Sequence, residues 1–87
     1  MNKIWSDEAW EDYLFWQVED KKTLKKINNL LKDIERNGYD GIGHPNPLTG
    51  NLSSFWSRDI NNKDRLVYRI KDEAIEIISC KGHYDDK

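Results

Sequence analysis

The feature that most limits what this chain can fold into is the alternation of apolar and polar side chains along its last third. LSSFWSRDINNKDRLVYRI is followed by KDEAIEIISC and a short tail, KGHY. Turn-forming residues separate the runs at Asn61-Asn62-Lys63-Asp64 and at Asp72-Glu73. A period of two broken by turns of that chemistry predicts an antiparallel three-stranded meander. Trp56, Leu66, Tyr68 and Ile70 share the parity of a buried face. Ser57, Asp59, Arg65, Val67 and Arg69 fall on the other face, where Asp59 and Arg65 oppose each other across the first turn and can pair.

A sheet with one apolar face needs a cover, and the first half of the chain supplies it. Lys3-Ile4-Trp5 is too short to stand alone and is expected to add an edge strand. Ser6 can cap a helix from about Asp7 to Gln17 by accepting a free backbone N–H of its first turn. Asp7 and Glu8 then lie at the positive end of the helix dipole. Ala9, Tyr13 and Trp16 form one stripe, widened by Trp10 and Leu14. Asp20 caps a second helix, in which Leu24, Ile27, Leu30, Leu31 and Ile34 recur at spacings of three and four. Asn37-Gly38 ends it, because glycine takes the left-handed conformation beyond a helix C-terminus without steric cost. Two helices so closely linked pair as a hairpin. The expected fold class is α+β, an antiparallel sheet with an N-terminal α-hairpin on one face. From Tyr39 to Ser54 the prolines and glycines predict a loop without helix or strand, long enough to suggest a functional wall.

Composition narrows the function classes. Eighty-seven residues, 37% hydrophobic and 34% charged, suit one globular domain over 1–87 with a small core. The net charge of −2 does not mark a general nucleic-acid binder. Charge is unevenly placed, with six acids against one base over 1–20 and six bases against two acids over 21–36. The basic block reads as a solvated helix face or as a local field that attracts phosphate. A lone Cys80 allows no internal disulfide and fits a reducing cytosol. MNKIWSDEAW lacks an apolar run of signal-peptide length, and no segment could span a bilayer, so a cytoplasmic location without membrane contact is expected.

The order of several short motifs carries a resemblance. IWS, Trp10, DYL and Trp16 are followed by DKK, KKIN, Leu30 and KDI, then by GIG, Pro45, PL, NLS, FWSR, Ile60, RLVY and the terminal HY. In this collinear order the chain resembles the YoeB/Txe group of toxins within the RelE superfamily over nearly its whole length. The resemblance implies a microbial-ribonuclease-like sheet and a toxin that enters the ribosomal A site and cuts messenger RNA. It also implies a YefM-like antitoxin as partner, and it leaves open whether the free chain is a homodimer. The chemistry implied needs neither cofactor nor metal. A base takes the ribose 2′-OH proton, a cation steadies the phosphate, and an acid protonates the leaving 5′-oxygen.

Carried over by position, His83 matches the family's general acid, Arg65 its phosphate-binding arginine and Tyr84 a terminal aromatic suited to stacking on RNA. Asn46 stands where the family has its general base, a glutamate; an amide has no useful basicity near neutral pH. Thr49 replaces a lysine and Asp59 an arginine. RNA-contacting candidates are therefore Tyr84, Thr49, Asp59, Lys81 and His44, with His44 expected in solvent or standing in as a base. These departures leave two readings: an attenuated ribonuclease, or a toxin-fold module that binds antitoxin or the A site without cutting. A generic single-strand binder would need aromatics between cations on the open sheet face, and Ser57, Asp59, Arg65, Val67 and Arg69 offer none.

Overall fold

The computed structural model describes residues 1–83. Strand β1 (Asn2–Trp5) leads into helix α1 (Asp7–Glu19), helix α2 (Lys21–Asn37), strand β2 (Asn46–Pro47), a 3₁₀ turn at Gly50–Leu52, and strands β3 (Trp56–Asp59), β4 (Arg65–Lys71) and β5 (Ala74–Ser79). The five strands form one sheet in the order β1-β5-β4-β3-β2. The meander β3-β4-β5 is antiparallel, as its alternation predicts. The edge strand β1 runs parallel to β5, so the sheet is mixed at that edge. Parallel pairing needs a long crossover, and everything between β1 and β5 supplies one.

Both helix starts follow from their caps. Ser6 Oγ accepts from Ala9 N at 3.0 Å and donates to the Ile78 carbonyl at 3.1 Å, tying the start of α1 to the end of β5. Asp20 accepts from the backbone of Lys22 and Thr23 and from the Thr23 hydroxyl, and these Thr23 bonds hold its carboxyl below the usual carboxylate range. Ser6→Ala removes both the cap and the link to β5, and is expected to cost about 1–2 kcal/mol in a urea unfolding curve.

The apolar stripe of α2 meets Leu66 and Tyr68 of β4 and Ile75 and Ile77 of β5, with Ala9 and Trp16 of α1 closing the core. Trp16 Nε1 donates to the Cys80 carbonyl at 2.9 Å. Burial pushes the Cys80 thiol up to about 12, so this sulfur is a core atom and remains protonated at neutral pH. Between β4 and β5, Asp72 and Glu73 both take positive φ, the geometry of a two-residue hairpin turn that matches the twist of its strands.

The Tyr39–Ser54 segment departs from its expectation as a loop without helix or strand. Asn46 and Pro47 pair with Ser57 and Trp56, and Leu48 is buried beyond them. An edge position tolerates proline, whose missing N–H would otherwise break a ladder. The start of the segment is held by Arg58, whose side chain is fully buried. Its guanidinium reaches Asp33 on α2, the carbonyls of Gly38, Asp40 and Ile42, and the Tyr68 hydroxyl. Alternation places Arg58 on the inward face with Trp56, and the ring of carbonyls makes burial of its charge tolerable.

Candidate functional site

The site forms on the sheet face opposite the helices, where β3 and β4 carry Ser57, Asp59, Arg65 and Val67. Register sets Asp59 across from Arg65, and the expected pair is present: Arg65 Nε lies 2.9 Å from Asp59 Oδ1. Arg65 Nη1 also donates to the carbonyls of Asn61 at 2.8 Å and Asp64 at 3.2 Å. With 17% of its side chain exposed, the guanidinium is oriented by the protein before any ligand arrives. That pre-organisation favours phosphate binding, whereas the aspartate competes for the same cation.

His83 reaches this neighbourhood through backbone contacts that local sequence does not reveal. Asp64 is buried at the end of the Asn61–Asp64 turn. One of its carboxylate oxygens accepts from Gly82 N at 2.7 Å and the other from Asn61 Nδ2 at 3.0 Å. Arg65 N donates to the Gly82 carbonyl at 3.0 Å. Gly82 is thus clamped against the first residue of β4, and its positive φ of 77° turns the chain there. The histidine that follows leaves from the start of β4.

His83 lines two cavities. One, of about 480 Å³, lies over the open sheet face between Ser6, Glu8, Asn51, Leu52, Val67, Ile78 and Ser79. The other, of about 800 Å³, lies between the α1–α2 junction and the Asn61–Asp64 turn, and includes Phe15, Trp16 and Lys81. Asn51 and Leu52 of the 3₁₀ turn, and not Asn46 or Thr49, wall the cavity on the sheet face; Arg65 and Asp59 line neither cavity.

Asn46 and Thr49 are exposed on and just beyond β2. Lys81 turns away, with Nζ 4.5 Å from the centre of the Phe15 ring on α1, so it serves the helical side and not the Arg65 side. His44 is largely in solvent, with its side chain 90% exposed, yet its Nδ1 lies 3.3 Å from Asp59 Oδ2. Asp59 therefore stands between His44 and Arg65. Tyr84 lies outside the described residues. Sequence reasoning missed Asp64 and Arg58; an arginine of inward parity was the only local sign of the second. Among the described residues no group of three or more His, Cys, Asp or Glu side chains could hold a metal ion, and no helix is long and apolar enough to cross a membrane.

Comparison with known proteins gives the family. The family model described as a YoeB-like toxin of bacterial type II toxin-antitoxin systems matches residues 5–84. Toxin YoeB of Escherichia coli strain K12 is 51% identical over 84 residues, which cover 97% of this chain and 100% of that protein. The YoeB dimer from Staphylococcus aureus superimposes with a TM-score of 0.91 at 52% identity, covering 97% of this chain and 98% of that one. The YoeB-YefM complex from the same organism gives a TM-score of 0.91 at 50% identity with the same coverage. Sequence and fold converge, and the chain belongs to the YoeB-like toxins of bacterial type II toxin-antitoxin systems.

Proposed function

We propose that this toxin is a ribosome-dependent endoribonuclease of the cytoplasm that cuts messenger RNA by attack of a ribose 2′-oxygen on the adjacent phosphate. The observation that supports it most is a pre-oriented Arg65 whose backbone N–H holds Gly82, the residue before His83. Arg65 steadies the charge that develops on the phosphate oxygens, and His83 gives a proton to the departing 5′-oxygen. DNA, lacking the 2′-hydroxyl, cannot follow this route. Tyr84, next in the chain, stacks on the RNA. The partner is a YefM-like antitoxin, as in the Staphylococcus aureus complex, and a homodimer is the free form, as in the dimer from that organism.

The activity is attenuated. Asn46 supplies no basicity, Thr49 no charge, and Asp59 holds the arginine meant for phosphate. The Asp59–Arg65 pair equally supports a second reading, in which the chain binds antitoxin or the A site without cutting. Cleavage of messenger RNA on purified ribosomes separates the cases, with Asn46→Glu, Thr49→Lys and Asp59→Arg made singly and together. The triple variant is expected to cut about 10²–10⁴ times faster than the unaltered chain. Equal rates would remove the attenuation, and a triple variant that does not cut would remove the ribonuclease.

A further inference from the structure

We infer that His44 is the group that takes the 2′-hydroxyl proton in this chain, with Asp59 as the residue that positions it. This deepens the ribonuclease reading and rests on it. An acid–base cleavage needs two proton-transfer groups on either side of the phosphate, and His83 can be only one of them. The amide of Asn46 cannot be the other. On the Asp59 side of Arg65 two described side chains can accept a proton, Asp59 and His44; Asp59 is engaged by Arg65 at 2.9 Å, whereas His44 is open to substrate, with 90% of it exposed.

The loop holds this histidine in place. His44 takes a φ of 54°, a left-handed conformation that a non-glycine residue adopts only when its surroundings impose it. The residues just before it supply them. The Gly43 carbonyl accepts from Asp59 N at 2.7 Å, and a side chain at Gly43 would strike Leu30 Cδ2 at 2.8 Å. One residue earlier, the Ile42 carbonyl accepts from buried Arg58 at 3.0 Å, and Ile42 N donates to Asp33 at 3.0 Å. His44 is therefore delivered by a pinned backbone, not by a floppy tip. Its Nδ1 faces one oxygen of Asp59 at 3.3 Å while the other oxygen faces Arg65 Nε at 2.9 Å. Among the described residues Asp59 lies beside the ring and Arg65 beyond it, and the Arg58–Asp33 pair holds the loop ahead of it.

In the step proposed, His44 Nε2 removes the 2′-hydroxyl proton as the 2′-oxygen bonds to phosphorus. The bond from phosphorus to the 5′-oxygen breaks, and His83 returns a proton to that oxygen. The products are a 2′,3′-cyclic phosphate and a 5′-hydroxyl, with one proton gained by His44 and one lost by His83. The charge arising on His44 meets the carboxylate already beside its Nδ1.

Single-turnover cleavage on purified ribosomes tests this with His44→Gly, a change that suits the left-handed backbone and so keeps the fold. The rate is expected to fall about 10²-fold or more, with little change in the concentration of toxin that half-saturates the ribosome, and free imidazole added to His44→Gly is expected to restore part of it. In an Asn46→Glu background, where a carboxylate can act as base, the same substitution should cost less than about tenfold, a non-additivity that independent roles would not produce. His44→Gly cutting like the unaltered chain, or no rescue by imidazole, overturns the inference while leaving the ribonuclease reading intact. Cleavage by Asn46→Glu alone, with none by the unaltered chain, does the same. No cleavage by any form, Asn46→Glu included, overturns both.

Discussion

Replacing Arg58 by methionine is expected to lower the unfolding free energy by roughly 3–5 kcal/mol, a large share of the stability of a small domain. The guanidinium is fully buried, and its departure leaves the Asp33 carboxylate without its ion partner and takes a charged donor from the carbonyls of Gly38, Asp40 and Ile42. Methionine fills much of the volume, so the loss reports unmet polar groups more than a cavity. A urea midpoint that moves by less than about 1 kcal/mol equivalent would show that water replaces the guanidinium at little cost.

The same pair has a signature in acid. Hydrogen bonding from Arg58 holds the Asp33 carboxyl below the usual carboxylate range. The folded value lies below the unfolded one, so the contribution is complete above the unfolded carboxylate pKa of about 4 and is lost as the pH falls through the folded value. Stability measured against pH should therefore fall in strong acid, and Asp33→Asn should flatten that fall. Because Arg58 pins residues 38–42 ahead of His44 and Asn46, a variant that still folds is also expected to cleave more slowly.

His83→Ala is expected to slow messenger RNA cleavage by about 10²–10⁴ and to abolish toxicity in growing cells. The side chain is exposed after β5, and the backbone clamp before it runs through Gly82, Asp64 and Arg65, so truncating the ring leaves that clamp in place. Without an acid, the 5′-oxygen must leave as an alkoxide. A toxin that acts by binding alone would keep its full effect on growth after this change, so undiminished toxicity in the alanine variant would decide for the binding module.

Local chemistry alone was enough to read much of this molecule. Ser6 and Asp20 announce both helix starts, and the spacing from Leu24 to Ile34 announces which face of α2 is buried. The alternation from Trp56 to Ser79 yields the meander, and with it the opposition of Asp59 and Arg65. Each of these depends on neighbours within a few residues or on one hairpin register, so a one-dimensional pattern carries it. The collinear motifs added the family, and with it the roles expected of Arg65 and His83.

What the sequence by itself determined, then, is the two helices and the meander after them, the buried stripe and the pairing across the first hairpin. Only the tertiary structure decided which partners surround Arg58, that Asp64 fastens Gly82 to β4, that Lys81 turns to Phe15, and that β2 forms inside a proline-rich loop. It alone brought His44 to Asp59. The physical reason is common to all of them. A buried charge, a clamped tail and a left-handed histidine are each tolerable only because partners distant in the chain supply the hydrogen bonds or the steric walls that offset their cost. Arg58 is held by Asp33 twenty-five positions away, and Gly82 by Asp64 eighteen positions away.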